Sequence, residues 1–327
     1  MEENHFDPRA VCRDHSFLRY VPQDIRDQFI ETLDKETNIE RMATLKAWLI
    51  AAVKNEKNSE DFRIVVLKMI VPLGKGEEWL RVMLVEALKN RRFEWYFRSL
   101  IMTALVAYWQ HEQWMSDIFR SLLDDRQENC FVRSGAESRL SRFWANEEWL
   151  PERLREIVLN PNEHGEVQFN IIRSMGEYWK DSPWLRTTLE EVMFSQKHDI
   201  ETKGQAAFRL LKVFGQSEWL QDHFERILSD REQGDTRLEI LRIVGEGWNR
   251  PAWLDNHVLD MIFDRKNKFH FRSEVLDHFA KVWSGSKVTR VKLGAFFEDK
   301  RQNSELRHQV RQILEIPYRD ESMDNLG

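Results

Sequence analysis

Residues 143–154 read FWANEEWLPERL: Trp144 and Trp149 stand five residues apart with Asn146, Glu147 and Glu148 between them. The same pairing returns in YWKDSPWLRTTL, residues 178–189, as Trp179 and Trp184. Counting outward from Trp149, one column of tryptophans runs Trp79, Trp114, Trp149, Trp184, Trp219 and Trp253, at spacings of 35, 35, 35, 35 and 34 residues. A second column, Trp109, Trp144, Trp179, Trp248 and Trp283, precedes it by five residues, with Phe214 standing in once. Self-similarity at this period is the mark of a repeat architecture and outranks any local motif.

Numbering each repeat from its first Trp, position 6 is apolar: Leu84, Phe119, Leu154, Leu189, Phe224 and Val258. Position 12 is a short polar residue: Asn90, Asp125, Asn160, Ser195, Asp230 and Asp264. Position 20 is long and polar: Arg98, Arg133, Gln168, Lys203, Arg237 and Arg272, allowing a one-residue deletion before Arg237. The register extends to residues 44–78, with Leu49, Asn55 and Arg63, and to residue 288 onward, with Leu293, Asp299 and Arg307. Within a repeat, WLPERLREIVLN carries Trp149, Leu150, Leu154, Ile157 and Val158 on one helical face and Glu152, Arg155 and Glu156 on the other. VQFNIIRSMGEYW carries Val167, Ile171, Ile172, Met175 and Trp179 inward, and strand-like alternation is absent. The expectation is an all-α, right-handed α-α superhelix of HEAT or ARM type with about eight helix pairs. Residues 1–43 are expected to form a helical cap, 44–316 the array and 317–327 a loose polar tail.

These columns resemble HEAT repeats, in particular the bacterial variety with a short acidic turn followed by Val-Arg and a small residue. LLDDRQENCFVRSGAESRL, residues 122–140, is the nearest stretch, with Asp125, Val132, Arg133 and Ala136. The Trp that closes most second helices, followed by an acidic break, is similar to the HEAT arrays attached to bacterial STAND (NACHT-like) NTPases. That resemblance implies a sensor or regulatory role. No GxxxxGK[ST] loop is present, so the nucleotide-binding part of such proteins is not expected here.

A helix pair cannot bury its apolar face alone, so neighbours stack and repeat the same contacts. Burying one indole removes roughly 150–250 Å² from water, worth about 4–6 kcal/mol gross at ~25 cal/mol per Å². The tryptophans are therefore expected in the joints between repeats, the alternative being an exposed recognition ladder. The position-12 and position-20 columns are expected to form a structural ladder, with anion binding by Arg98, Arg133, Arg237 and Arg272 as the alternative.

With 42% hydrophobic residues the chain can build a sizeable core, and a net charge of −6 argues against wholesale attraction to nucleic acid or anionic membrane. Cys12 and Cys130 form no metal or redox motif and suit a reducing compartment. The first residues, MEENHFDPRAVCRDHSF, lack the pattern of a signal peptide, and no apolar run is long enough to span a bilayer. A cytoplasmic protein is expected. Catalytic sets are sparse: His111-Glu112 is the one His-Glu dipeptide, so the repeated ligands of the HEAT-fold di-iron hydroxylases are missing, and no GxSxG turn occurs. His223 and His257 share position 5 without a ligand set around them. Carboxylate pairs such as Glu77-Glu78, Glu147-Glu148 and Glu190-Glu191 suit solvated faces. The sequence motifs thus predict no enzyme, no cofactor and no metal.

What remains is surface. Positions 25 and 29 point out of the second helix and offer Lys68, Arg142, Arg173, Lys212, Arg242 and Lys281, interspersed with Ser138, Glu177, Glu246 and Asp277. First-helix outer positions are acidic: Glu86, Glu156, Glu190, Glu191, Glu225, Asp255 and Asp260. The six cations are the candidate binding residues for a protein partner with an acidic or extended segment. Nucleic acid held in a glycosylase-like groove is the alternative, ordinary solvated charge the bland reading.

Overall fold

The computed structural model describes residues 39–248, 252–282 and 287–315; the expected cap before residue 39, the tail after 315 and Trp283 lie outside them. The described residues fall into two compact halves, one up to Leu150 and one from Pro151. Among the described residues there is no strand, and sixteen α-helices follow one another in eight consecutive pairs. The fold is an all-α solenoid, and its helix pairs fit a HEAT-like repeat. The first half holds α1 (Ile39–Lys54) with α2 (Glu60–Leu73), α3 (Glu78–Lys89) with α4 (Trp95–Trp109), and α5 (Gln113–Asp124) with α6 (Cys130–Phe143). Helix α7 (Trp149–Leu159) starts at the division and pairs with α8 (Gly165–Tyr178). The second half continues with α9 (Pro183–Phe194) and α10 (Ile200–Phe214), α11 (Glu218–Ser229) and α12 (Gly234–Gly247), α13 (Ala252–Phe263) and α14 (Phe269–Val282), and α15 (Lys287–Glu298) and α16 (Ser304–Glu315).

Why each helix forms is visible in α5, which buries Met115, Ser116, Phe119, Leu122 and Leu123 at helical spacing and leaves Asp117 and Arg120 outside. Why it stops is the position-12 residue. In all eight pairs its side chain accepts the backbone N–H two residues on, as Asn90 does from Arg92 at 3.0 Å, Ser195 from Lys197 at 3.1 Å and Asp264 from Lys266 at 3.0 Å. Asn55, Asp125, Asn160, Asp230 and Asp299 make the same turn. Asn129 and Asp199 then cap the following helices by accepting from Phe131 N–H at 2.9 Å and Thr202 N–H at 2.7 Å.

The position-20 side chains close the joint. The Nε of Arg98, Arg133, Arg237 and Arg272 donates to Leu88, Leu123, Leu228 and Ile262 carbonyls at 2.7, 2.9, 2.9 and 2.6 Å, satisfying the end of the preceding first helix. Gln168 does the same to Val158 at 3.1 Å. The guanidinium head then meets position 15 of the next repeat. Arg98 forms two 2.6 Å bonds with Glu128, Arg272 reaches Gln302 at 2.8 Å, and Arg63 lies 4.6 Å over the Phe93 ring. This is the structural ladder, and Arg98, Arg237 and Arg272 are occupied by it.

The two tryptophan columns divide the work. Trp109, Trp144, Trp179 and Trp248 are buried at the ends of second helices, whereas the first column, Trp79 to Trp253, is half-buried. Three of the pairs meet across the short turn, with centroids 6.3 Å apart for Trp109 and Trp114, 6.4 Å for Trp179 and Trp184 and 5.8 Å for Trp248 and Trp253. The open face of the first five of these rings, Trp79 to Trp219, is covered by a cation from the repeat before. Lys46 sits over Trp79 at 4.1 Å, Arg81 over Trp114 at 5.0 Å and Arg120 over Trp149 at 4.3 Å. In the second half Arg155 covers Trp184 at 5.8 Å and Arg186 covers Trp219 at 3.6 Å. Trp149, at the centre of the FWANEEWLPERL stretch, is thus part of a clamped joint and not an open aromatic box.

Candidate functional site

Successive second helices lie close together in each half. Gly204 faces Glu239, and a Cβ on Gly247 would come within 2.6 Å of Leu211 Cδ2. Their outward rows are the surface that the packing leaves free. Arg142, Arg173, Lys212, Arg242 and Lys281 are exposed there, while Lys68 on α2 is half-buried. Lys68 and Arg142 belong to the first half, the other four to the second. Arg142 rests over Phe143 at 5.2 Å. Arg242 is compensated, since its Nε donates to Glu239 at 3.0 Å and Nη2 binds the same carboxylate. Arg173 and Lys212 make no ion pair among the described residues.

Two neighbours of this row lie outside the six cations singled out by position. Phe208 occupies position 25 of α10, between Arg173 on α8 and Arg242 on α12, and is 38% exposed. Arg209 beside it is half-buried, and burial first, then the nearby Arg173 charge, pull its pKa below the ordinary arginine range. Gly176 allows this approach: a Cβ there would stand 3.0 Å from Arg209 Cδ. Period alone cannot find them, because position 25 varies in chemistry from repeat to repeat.

In the first half the starts of two second helices are aromatic. Trp95, Tyr96 and Phe131 open α4 and α6 and are 41%, 50% and 43% exposed. Trp95 lies 4.8 Å from Phe131 and 5.9 Å from Tyr96 between ring centroids. At the Tyr96 and Phe131 position later repeats carry Glu166, Glu201 and Asp235, which is the signal the sequence offered. Arg139 was also missed. It donates to Gly135 O within its own helix at 2.8 Å and ties α6 to α4 through Ser99 O at 3.1 Å and Thr103 Oγ1 at 2.8 Å, and burial brings its pKa down to about 10.

The first-helix acids are largely spoken for. Glu86 pairs with Lys54 at 2.6 Å, Glu156 with Arg153 at 2.7 Å and Glu190 with Arg186 at 2.9 Å. His223 lies 3.6 Å from Glu190 and His257 3.8 Å from Glu225, each matched to a carboxylate of the repeat before. Burial, followed by the Arg226 charge, holds His223 below the usual histidine value against the pull of Glu190. Among the described residues no three His, Cys, Asp or Glu side chains are placed to share a metal ion. Nor is any described helix long and apolar enough to cross a membrane.

No protein-family model matches the chain. No curated protein matches it either. Among solved structures the chain is similar to human deoxyhypusine hydroxylase in complex with glycerol, at 14% identity and a TM-score of 0.32, covering 84% of this chain and 96% of that one. That protein is an enzyme, and the finding overturns the exclusion of enzymes read from the motifs. The physical reason is that a solenoid brings together side chains a full period apart, so short contiguous motifs do not survey its surface.

Proposed function

We propose that the chain is an interaction scaffold that takes an acidic, extended segment of a protein partner along the exposed row of its second helices. The observation that carries this is the run Arg173, Phe208 and Lys212 on α8 and α10: two exposed cations without an ion pair among the described residues flank an exposed ring. On the same row the exposed Glu177 stands one turn from Arg173, and together with Lys212 the three sum to one positive charge. The Trp-and-acidic-break turns, similar to those of STAND-type arrays, favour a sensor or regulatory role in the cytoplasm.

The test is fluorescence anisotropy with a labelled aspartate- and glutamate-rich peptide and, separately, a labelled single-stranded oligonucleotide. The full chain is compared with its Arg173→Glu/Lys212→Glu variant. Reversing two charges is expected to weaken peptide binding by about tenfold or more, or ~1.4 kcal/mol. An unchanged peptide affinity refutes the reading. An oligonucleotide that binds more tightly, with affinity falling steeply in salt, replaces it with nucleic-acid binding.

A further inference from the structure

Position 20 is filled by a lysine once. Lys203 on α10 is 7% exposed, yet its ammonium makes no hydrogen bond, ion pair or ring contact among the described residues. The nearest acid in its own turn, Asp199, is engaged with Thr202 N–H at 2.7 Å and Thr202 Oγ1 at 3.1 Å. Lys203 instead lines a cavity of about 520 Å³ that also takes in residues of the next two turns.

The cavity exists because the repeat after Lys203 is one residue short. Its turn closes as a 3-10 segment, Arg231–Gln233, and α12 begins on Gly234, where an added Cβ would meet no atom within 4 Å. The first turns of α10, α12 and α14 all contribute to the wall. Helix α14 follows Lys268, whose side chain cannot accept a hydrogen bond, so that residue leaves the first amides of α14 uncapped. Helix starts of this length favour negative charge.

Five cations line the space: Lys203, Arg231, Arg237, Lys266 and Lys268. Glu232 and Asp235 oppose two of them, and Arg231 is paired with Asp264 at 2.7 Å, which leaves a surplus of two positive charges. Phe271, with Arg237 4.9 Å over its ring, adds an apolar wall. Burial holds the Lys203 pKa below the ordinary lysine range against the pull of Asp199, the direction expected of an ammonium waiting for a counter-ion.

We infer that this cavity is a binding site for a phosphate monoester dianion, with the ammonium of Lys203 as its anchor and Lys266 and Lys268 at its rim. The surplus of two charges matches a dianion better than a single carboxylate. The inference is independent of the acidic-segment reading, which concerns the exposed row and not this cavity.

Isothermal titration of the full chain with inorganic phosphate, O-phosphoserine and adenosine monophosphate tests it and tells a bare ion from an amino-acid-borne or nucleoside-borne ester. Wild type is expected to bind at least one of the three, and Lys203→Met to weaken that binding by about tenfold or more. If Lys203→Met fails to give a helical circular-dichroism spectrum, the solvent-exposed pair Lys266→Ala/Lys268→Ala decides in its place. Lys180→Ala, exposed and outside the cavity, leaves binding unchanged. No binding of any probe by wild type, or equal binding by the variant that folds, overturns the inference.

Discussion

Replacing Arg98 with methionine isolates the strongest joint in the first half. Arg98 is 1% exposed, its Nε caps Leu88 O at 2.7 Å and its two terminal nitrogens hold Glu128 at 2.6 Å each. Methionine fills much of the space but leaves Glu128, itself 8% exposed, without its guanidinium. Breaking one side of a buried pair costs about 3–5 kcal/mol, and the abandoned carbonyl accounts for about 1–3 kcal/mol within such a loss. The sign with pH is diagnostic. In wild type, burial alone would push Glu128 up, but the Arg98 hydrogen bonds, the Asn129 N–H and the Arg98 and Arg91 charges together hold it low. Its contribution is therefore present above the unfolded carboxyl value and is lost only as pH falls through the lower folded one. Without Arg98, burial dominates and the shift reverses. Arg98→Met is then expected to lose stability as pH rises from 4.5 through the raised value, a range over which the wild-type contribution is already fully present. Urea unfolding at pH 5 and pH 8, followed by circular dichroism, measures both terms. A second replacement, Glu128→Leu, is expected to recover most of the loss, since an apolar pair can stand in for a buried ionic one. A variant within about 0.5 kcal/mol of wild type at pH 8, the range of ordinary surface changes, would refute the ladder as a source of cohesion.

Gly74→Ala is expected to lower the urea midpoint, because its Cβ would stand 2.5 Å from Trp79 Cζ2; displacing the ring from beneath Lys46 costs about 1–3 kcal/mol by overpacking. An unshifted tryptophan emission maximum in that variant would contradict the contact. His223 carries a depressed folded pKa, so the unfolded chain takes up a proton near 6.5 that the folded chain refuses. Stability is expected to fall between about pH 7 and pH 5, and His223→Gln to flatten that part of the profile; a slope unchanged by the substitution counts against it.

The helix pairs, their number and their joints were legible because stacking asks each repeat for the same contact at the same position. Trp144, Asp125 and Arg98 recur for that reason, and their roles follow from where helices end. The cation clamps were not legible, because the residue over the ring comes from one place in Arg81 and Arg186 and from one turn later in Arg120 and Arg155. The outward row could be located but not evaluated. Nothing in the period says that Glu239 neutralises Arg242 while Arg173 stays unpaired, or that position 25 of α10 is Phe208. The Lys203 cavity depends on a deletion, and a deletion appears in the sequence only as an interruption of register. Its consequence, a cation without the partner that Arg98, Arg237 and Arg272 each find, is a three-dimensional fact.

The ring clamps give the array a direction. In every clamp the cation comes from the earlier repeat and the indole from the later one. Shortening the chain from its two ends is therefore not symmetrical. Each repeat removed from either end bares an apolar stacking face; one removed from the front also strips the cation from a tryptophan, whereas one removed from the back leaves a cation without its ring. Fragments that keep the late repeats thus carry one bare indole more, and should clump more readily than fragments that keep the early ones.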